Sequence, residues 1–181
     1  TKLKKGLDDV RRHRGLYQAR RHENQVPVVS LVGYTNAGKS TLLNRLTGAG
    51  VIAESRMFST LDPVTRKVVP PSGSEFLLTD PVGVIQKLPP PVVAAFRATL
   101  EELSESALMV HVVDVTHANA VQQAQVVDKT LSDIGLADKP RILALNKSDL
   151  LETDAEVESD GTVDRLLTEQ GNAVMVSALS G

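Results

Sequence analysis

Gly33-Tyr34-Thr35-Asn36-Ala37-Gly38-Lys39-Ser40 fits the pattern G-x-x-x-x-G-K-[ST]. Each fixed position has a chemical reason. Gly33 and Gly38 permit backbone angles and a close approach that a side chain would block. The loop N–H groups, with the start of the helix that follows, bind phosphate oxygens. Lys39 reaches terminal phosphates as a point charge, and Ser40 offers a hydroxyl to Mg²⁺. A chance match is expected on the order of once per hundred or more chains of this length. The flanks argue against chance. Val28-Val29-Ser30-Leu31-Val32 is a nearly continuous apolar run, the signature of a strand buried on both faces, and Lys39 to Leu46 has helical periodicity.

Working outward from that loop, strand and helix patterns alternate. Strands are expected at Arg66 to Val69 on an edge, Glu75 to Thr79, Leu108 to Val115, Ile142 to Leu145 and Ala173 to Val176. Helices are expected at Val92 to Ser106, Ala118 to Ile134 and Val163 to Gln170, while 49–65 and 152–162 read as loops. The sum is an α/β fold: a P-loop domain with a mostly parallel six-stranded sheet and helices on both faces. A basic helix over 1–22 precedes it, joined by Asn24-Gln25-Val26-Pro27, so the division expected is 1–25 and 26–181.

The chain has 181 residues, about one domain. Aromatics make up only 3%, so the core must come from Val, Leu, Ala and Ile. With no cysteine, disulfides, thiolate metal sites and cysteine nucleophiles are excluded. No apolar run approaches ~18 residues, the length of a membrane-crossing helix. The opening Thr1-Lys2-Leu3-Lys4-Lys5 is not a signal peptide; it also lacks an initiator Met, and a trimmed chain is expected. Residues 1–22 carry eight Lys/Arg against Asp8 and Asp9, a balance of +6. With a whole-chain charge of −2, the remainder carries −8. A basic arm on an acidic body points to a polyanionic partner, against the plainer reading of a solvated helix face.

Asn146-Lys147-Ser148-Asp149 directly follows a buried strand. The Asp149 carboxylate can accept hydrogen bonds from guanine's ring N–H and its exocyclic amino group, a pair that adenine does not offer. Lys147 can lay its stem along the base, and Asn146 can brace neighbouring loops. Ser177-Ala178-Leu179, after the last strand, would bring a backbone N–H to the guanine oxygen. These short motifs gain force from their order after the phosphate loop.

Asp80-Pro81-Val82-Gly83 ends another strand. Asp80 would hold Mg²⁺ through water, and the Gly83 N–H would touch the γ-phosphate. Thr60, in the 49–65 loop, would add its hydroxyl to Mg²⁺ and its N–H to the same phosphate. The position after the sensor glycine, where many GTPases place a water-orienting Gln, is Val84, so slow unassisted hydrolysis is expected. Three functions compete: a GTPase, a GTP-dependent binding module with little turnover, and an ATPase for which Asp149 is incidental.

The whole set, with Ser40-Thr41-Leu42, Thr60-Leu61-Asp62-Pro63-Val64-Thr65-Arg66 and Ala94-Ala95-Phe96-Arg97-Ala98-Thr99-Leu100-Glu101-Glu102, resembles the HflX family of ribosome-associated GTPases. The likeness runs from Val10-Arg11-Arg12-His13-Arg14 to Ser177-Ala178-Leu179-Ser180-Gly181. It implies nucleotide contacts at Gly33, Tyr34, Thr35, Asn36, Ala37, Gly38, Lys39, Ser40, Thr41, Asp80, Gly83, Asn146, Lys147, Asp149, Ser177, Ala178 and Leu179. It implies metal contacts at Ser40, Thr60 and Asp80, and catalytic roles for Lys39, Thr60 and Gly83. It further implies Mg²⁺ as cofactor, GTP and GDP as ligands, and binding to the large ribosomal subunit with its ribosomal RNA, to split or rescue ribosomes. A monomer without a membrane span is expected, cytoplasmic or organellar; Gln86-Lys87-Leu88-Pro89 is similar to plastid and cyanobacterial members, which adds the chloroplast stroma. By the same resemblance, residues 1–22 are the end of a helical hairpin, and the chain stops before a last helix. The family usually has Asp-Thr-Val-Gly-Phe where this chain has Asp80-Pro81-Val82-Gly83-Val84, and Pro81 removes an N–H and fixes φ.

Overall fold

The computed structural model describes residues 26–48, 64–71, 73–80, 103–151 and 161–180. In chain order these form β1 (Val28–Gly33), α1 (Lys39–Thr47), β2 (Val64–Val68), β3 (Phe76–Asp80), β4 (Leu108–Asp114), α2 (Ala120–Asp133), β5 (Arg141–Asn146), α3 (Thr162–Gln170) and β6 (Ala173–Met175). A single 3₁₀ turn, Ser148–Leu150, leaves β5. The strands make one six-stranded sheet in the order β2-β3-β1-β4-β5-β6. All neighbours are parallel except β2, which runs antiparallel to β3 on the edge.

The apolar runs of the central strands are explained by the two covered faces. Successive strand residues point to opposite sides. Leu31, Val112 and Ala144 pack with Leu42 and Leu43 of α1 on one face. Their chain neighbours turn the other way: Val32 joins Val127 and Leu131 of α2, while Val113 and Leu145 join Ala124 of α2 and Leu166 of α3. A fully buried Leu or Val contributes roughly 1.5–3 kcal/mol, so both faces of β1 and β4 are firmly held. The buried residues of α2, Ala120, Ala124, Val127 and Leu131, recur at one helical face.

The element boundaries differ from the sequence reading in one instructive place. Val64 and Thr65, expected in a loop, begin β2, which spans Val64–Val68 rather than Arg66 to Val69. Cross-strand pairing supplies the reason: Val64 lies opposite Asp80 and Thr65 opposite Thr79, with the two threonine hydroxyls 3.3 Å apart. Residues 103–105 are helical, in agreement with the end of the expected Val92 to Ser106 helix. The expected basic helix over 1–22 and the loops at 49–63 and 152–160 lie outside the described residues, as do Thr60, Pro81, Gly83 and Val84. No helix among the described residues is long and apolar enough to cross a membrane.

Candidate functional site

The phosphate loop springs from the end of β1 and closes on the start of α1, so both faces of the sheet fix its stem. The two motif glycines have different steric reasons. A Cβ on Gly33 would lie 2.3 Å from the Val112 carbonyl oxygen of the adjacent strand, and one on Gly38 would lie 2.2 Å from Asn146 Nδ2. Gly38 also has φ 98°, and Asn36 is left-handed with φ 61°. These angles curl the loop around its own centre. The Lys39 ammonium crosses it, donating to the carbonyls of Tyr34 at 2.8 Å and Gly33 at 3.2 Å. Among the described residues no side chain caps the N-terminus of α1, and its first turn holds no acidic residue, which leaves the positive end of the helix facing the loop.

Asp80 closes the site from the end of β3. Its Oδ2 accepts a 2.6 Å hydrogen bond from Ser40 Oγ. Its Oδ1 is buried and has no hydrogen-bond partner among the described residues. Burial pushes the Asp80 carboxyl above the usual carboxylate range, with the Ser40 hydroxyl and the Lys39 charge acting against it. Burial likewise lowers Lys39, with Asp80 opposing. A cation beside Ser40 and Asp80 would satisfy the orphaned oxygen. Among the described residues no cluster of three or more His, Cys, Asp or Glu could cage a metal ion by itself. A donor set of one hydroxyl and one carboxylate therefore suits Mg²⁺, which keeps several waters and takes its remaining oxygens from phosphates.

Asn146 joins this cradle to the second half of the site. Its Nδ2 donates to the Ala37 carbonyl at 2.9 Å, and its Oδ1 accepts from the Ala178 N–H at 2.9 Å. One buried side chain thus bridges the phosphate loop and the turn after β6. Ser177 Oγ accepts from the Ser180 N–H, and Arg45 of α1 donates to the Ser180 carbonyl at 2.8 Å, which ties that turn to the rest of the site. Lys147 leaves the sheet in a left-handed conformation, φ 66°, and turns the chain into the 3₁₀ segment that carries Asp149. Ser148 N donates to the Val176 carbonyl at 3.2 Å. Ser177 and Ala178 are buried and Leu179 is exposed.

The site residues that fall within the described chain are therefore gathered at the carboxyl ends of β1, β3, β5 and β6. Thr60 and Gly83 are outside it. One residue that sequence reasoning missed stands among them. Asp114, the last residue of β4, accepts a 2.5 Å bond from Lys147 Nζ and two bonds from Thr116, through its N–H at 3.0 Å and its Oγ1 at 2.6 Å. The available signal was an acidic residue terminating an apolar strand, with Thr two positions on, the pattern of a side chain that caps its own turn.

Comparison with known proteins bears on the family and the fold. Residues 28–147 match the family model described as 50S ribosome-binding GTPase. GTPase HflX of Caldanaerobacter subterraneus subsp. tengcongensis is 53% identical over 150 residues, which cover 83% of this chain and 35% of that protein. GTPase HflX of Escherichia coli K12 is 38% identical over 181 residues, covering 100% of this chain and 41% of that protein. A GTP-binding protein from the hyperthermophilic archaeon Sulfolobus solfataricus, solved in complex with GDP, superposes with a TM-score of 0.65 at 28% identity, covering 93% of this chain and 52% of that one. Era of Aquifex aeolicus, solved with GDP and AlF4⁻, shares the fold at a TM-score of 0.69 and 24% identity over 86% of this chain and 52% of that one. The chain spans well under half the length of the two HflX relatives. With the family model matched over residues 28–147 and relatives 38% to 53% identical over most or all of this length, the chain belongs to the HflX family of GTPases.

Proposed function

We propose that this chain binds GTP together with Mg²⁺, hydrolyses it to GDP and phosphate, and couples that cycle to binding the large ribosomal subunit, there splitting or rescuing ribosomes. The observation that supports it most is the Asn146 bridge, because it joins a phosphate-binding loop to a base-reading loop in one buried hydrogen-bonded unit. In this reading the N–H groups of residues 33–41 wrap the phosphates, and Lys39 exchanges its two carbonyl partners for phosphate oxygens. Ser40 and Asp80, with Thr60, would hold Mg²⁺, whose charge offsets that of the β- and γ-phosphates. Gly83 would donate its N–H to the γ-phosphate. Asp149 accepts from the guanine edge, the Lys147 stem covers one face of the ring, and the N–H groups of Ser177 to Leu179 meet the guanine oxygen. Catalysis then rests on positioning and on stabilising charge in the transition state, the parts that phosphoryl transfer demands.

A second reading is favoured by one feature of the sequence. Val84 cannot polarise an attacking water, and Pro81 stiffens the segment before it. On that reading the protein is a GTP-dependent ribosome-binding module with little turnover of its own. Single-turnover GTP cleavage by the full-length protein, with and without ribosomes, separates the two. Cleavage stimulated by ribosomes supports the first; binding without cleavage in either condition supports the second. Cosedimentation with large subunits in GTP, GDP and no nucleotide tests the partner: equal pelleting in all three would remove the coupling. We also propose that the domain boundary lies near residue 25, with the basic segment before it serving the ribosomal RNA contact.

A further inference from the structure

The end of β4 carries a carboxylate with an unusually complete set of partners. Asp114 and Asn146 lie side by side in the parallel register of β4 and β5, and the Val115 N–H donates to the Asn146 carbonyl at 3.1 Å. Thr116 satisfies Oδ1 twice, through its N–H and its hydroxyl, which locks the carboxylate's orientation. That leaves Oδ2 aimed at Lys147, whose ammonium it holds at 2.5 Å. Burial pushes Asp114 upward, but the bonds from Lys147 and Thr116 outweigh it and hold the group below the usual carboxylate range. The pair is partly dry, with the lysine side chain 34% exposed and the aspartate 11%. A lysine anchored at its tip and at its backbone has lost most of its rotamer freedom, and its four methylenes form a fixed surface between the two anchors.

We propose that Asp114 is a positioning residue for purine binding: by tethering Lys147 at its tip, it holds the lysine stem in the plane against which the base stacks, and so slows nucleotide release. The inference rests on the guanine-nucleotide reading above. Asp114 does not touch the nucleotide; it acts through Lys147.

The test is release of GDP bearing a fluorescent ribose label from the full-length protein, chased with excess unlabelled GDP. Asp114→Asn keeps an oxygen for Thr116 but turns a donor toward the ammonium. Lys147→Met keeps the length and apolar character of the stem and removes only the charge, without touching β4. Each single change should speed release about fivefold to tenfold, the scale of one partly solvated charge-assisted hydrogen bond. The double variant should release no faster than the faster single one, because both remove the same tether. A purely structural role for Asp114 in its own turn would instead make the two effects multiply, and that result overturns the inference. So do release rates equal to the parent's, or slower than it. If the unmodified protein retained no labelled GDP, the guanine-nucleotide reading would fail and this inference with it; a parent that holds GDP while Asp114→Asn releases it at the same rate removes the inference alone.

Discussion

Replacing Asn146 with aspartate changes one functional atom group at the point where the two halves of the site meet. The side chain is 2% exposed, so water cannot substitute for what is lost. The Ala178 N–H keeps an acceptor. The Ala37 carbonyl, which now receives 2.9 Å from Nδ2, would face an oxygen instead. The lost hydrogen bond has a net worth of about 1 kcal/mol, and leaving a buried carbonyl unpaired adds about 1–3 kcal/mol. The sum is at least about 2–4 kcal/mol, because the carboxylate charge buried against that carbonyl adds to it. Since about 1.4 kcal/mol is tenfold in affinity, GDP binding should weaken by roughly 30-fold or more wherever that loss falls on the assembled site. Asn146→Ala loses both bonds without burying a charge, and should weaken GDP binding as well. Urea unfolding of the nucleotide-free protein measures the first quantity, and calorimetric titration with GDP in magnesium buffer the second. Parent-like unfolding midpoints and parent-like GDP affinity in both variants would refute the argument that this side chain holds the loops together.

Further expectations follow from neighbouring residues. Gly38→Ala should lower stability and abolish tight nucleotide binding, because the new methyl meets Asn146 Nδ2 at 2.2 Å and φ is 98°; thermal unfolding and GDP titration check it. Lys39→Ala should remove tight binding of GTP and GDP, read by calorimetry, since no other described cation crosses the loop. Asp149→Asn should shift preference away from guanine, and unchanged GTP affinity in competition with ATP would remove the base-recognition argument. His111 gives a pH prediction. It is 2% exposed, with Asp128 Oδ1 at 3.6 Å and Arg141 and Lys39 near enough to act on it. Burial is the main cause that lowers its pKa from 6.5 to about 4, Asp128 opposing and the two cations assisting. The unfolded chain therefore binds a proton that the folded chain refuses, and stability should fall as pH drops from about 6.5 toward 4, by up to about 3 kcal/mol. Urea unfolding at pH 7.5 and 4.5 should show a smaller loss for His111→Asn than for the parent.

Most of the frame was legible because it rests on local patterns. The glycine spacing of 33 and 38, the apolar run before it and the periodic segment after it are all written within a few residues of each other. Asn146 was expected to brace neighbouring loops, and its hydrogen bonds to Ala37 and Ala178 do so. What sequence did not show depends on register. Asp114 finds Lys147 only because β4 and β5 are parallel neighbours that end together, a fact absent from either segment alone. Val64 and Thr65 close a largely polar stretch just after Asp62-Pro63 and so read as loop, yet pairing with Asp80 and Thr79 draws them into β2. His111 sits inside an apolar strand, and its contact with Asp128, which is itself paired with Arg141, needs α2 and β5 to arrive on the same face.

The alternation of Leu31 and Val32 has a mechanical consequence. A strand clamped by helices on both sides cannot slide or tilt without disturbing two separate hydrophobic layers at once. The loop that grows from its tip is thereby a stationary anvil. If the proposed nucleotide cycle is coupled to a partner, the signal has to travel through parts of the molecule that are not built into this double-sided clamp.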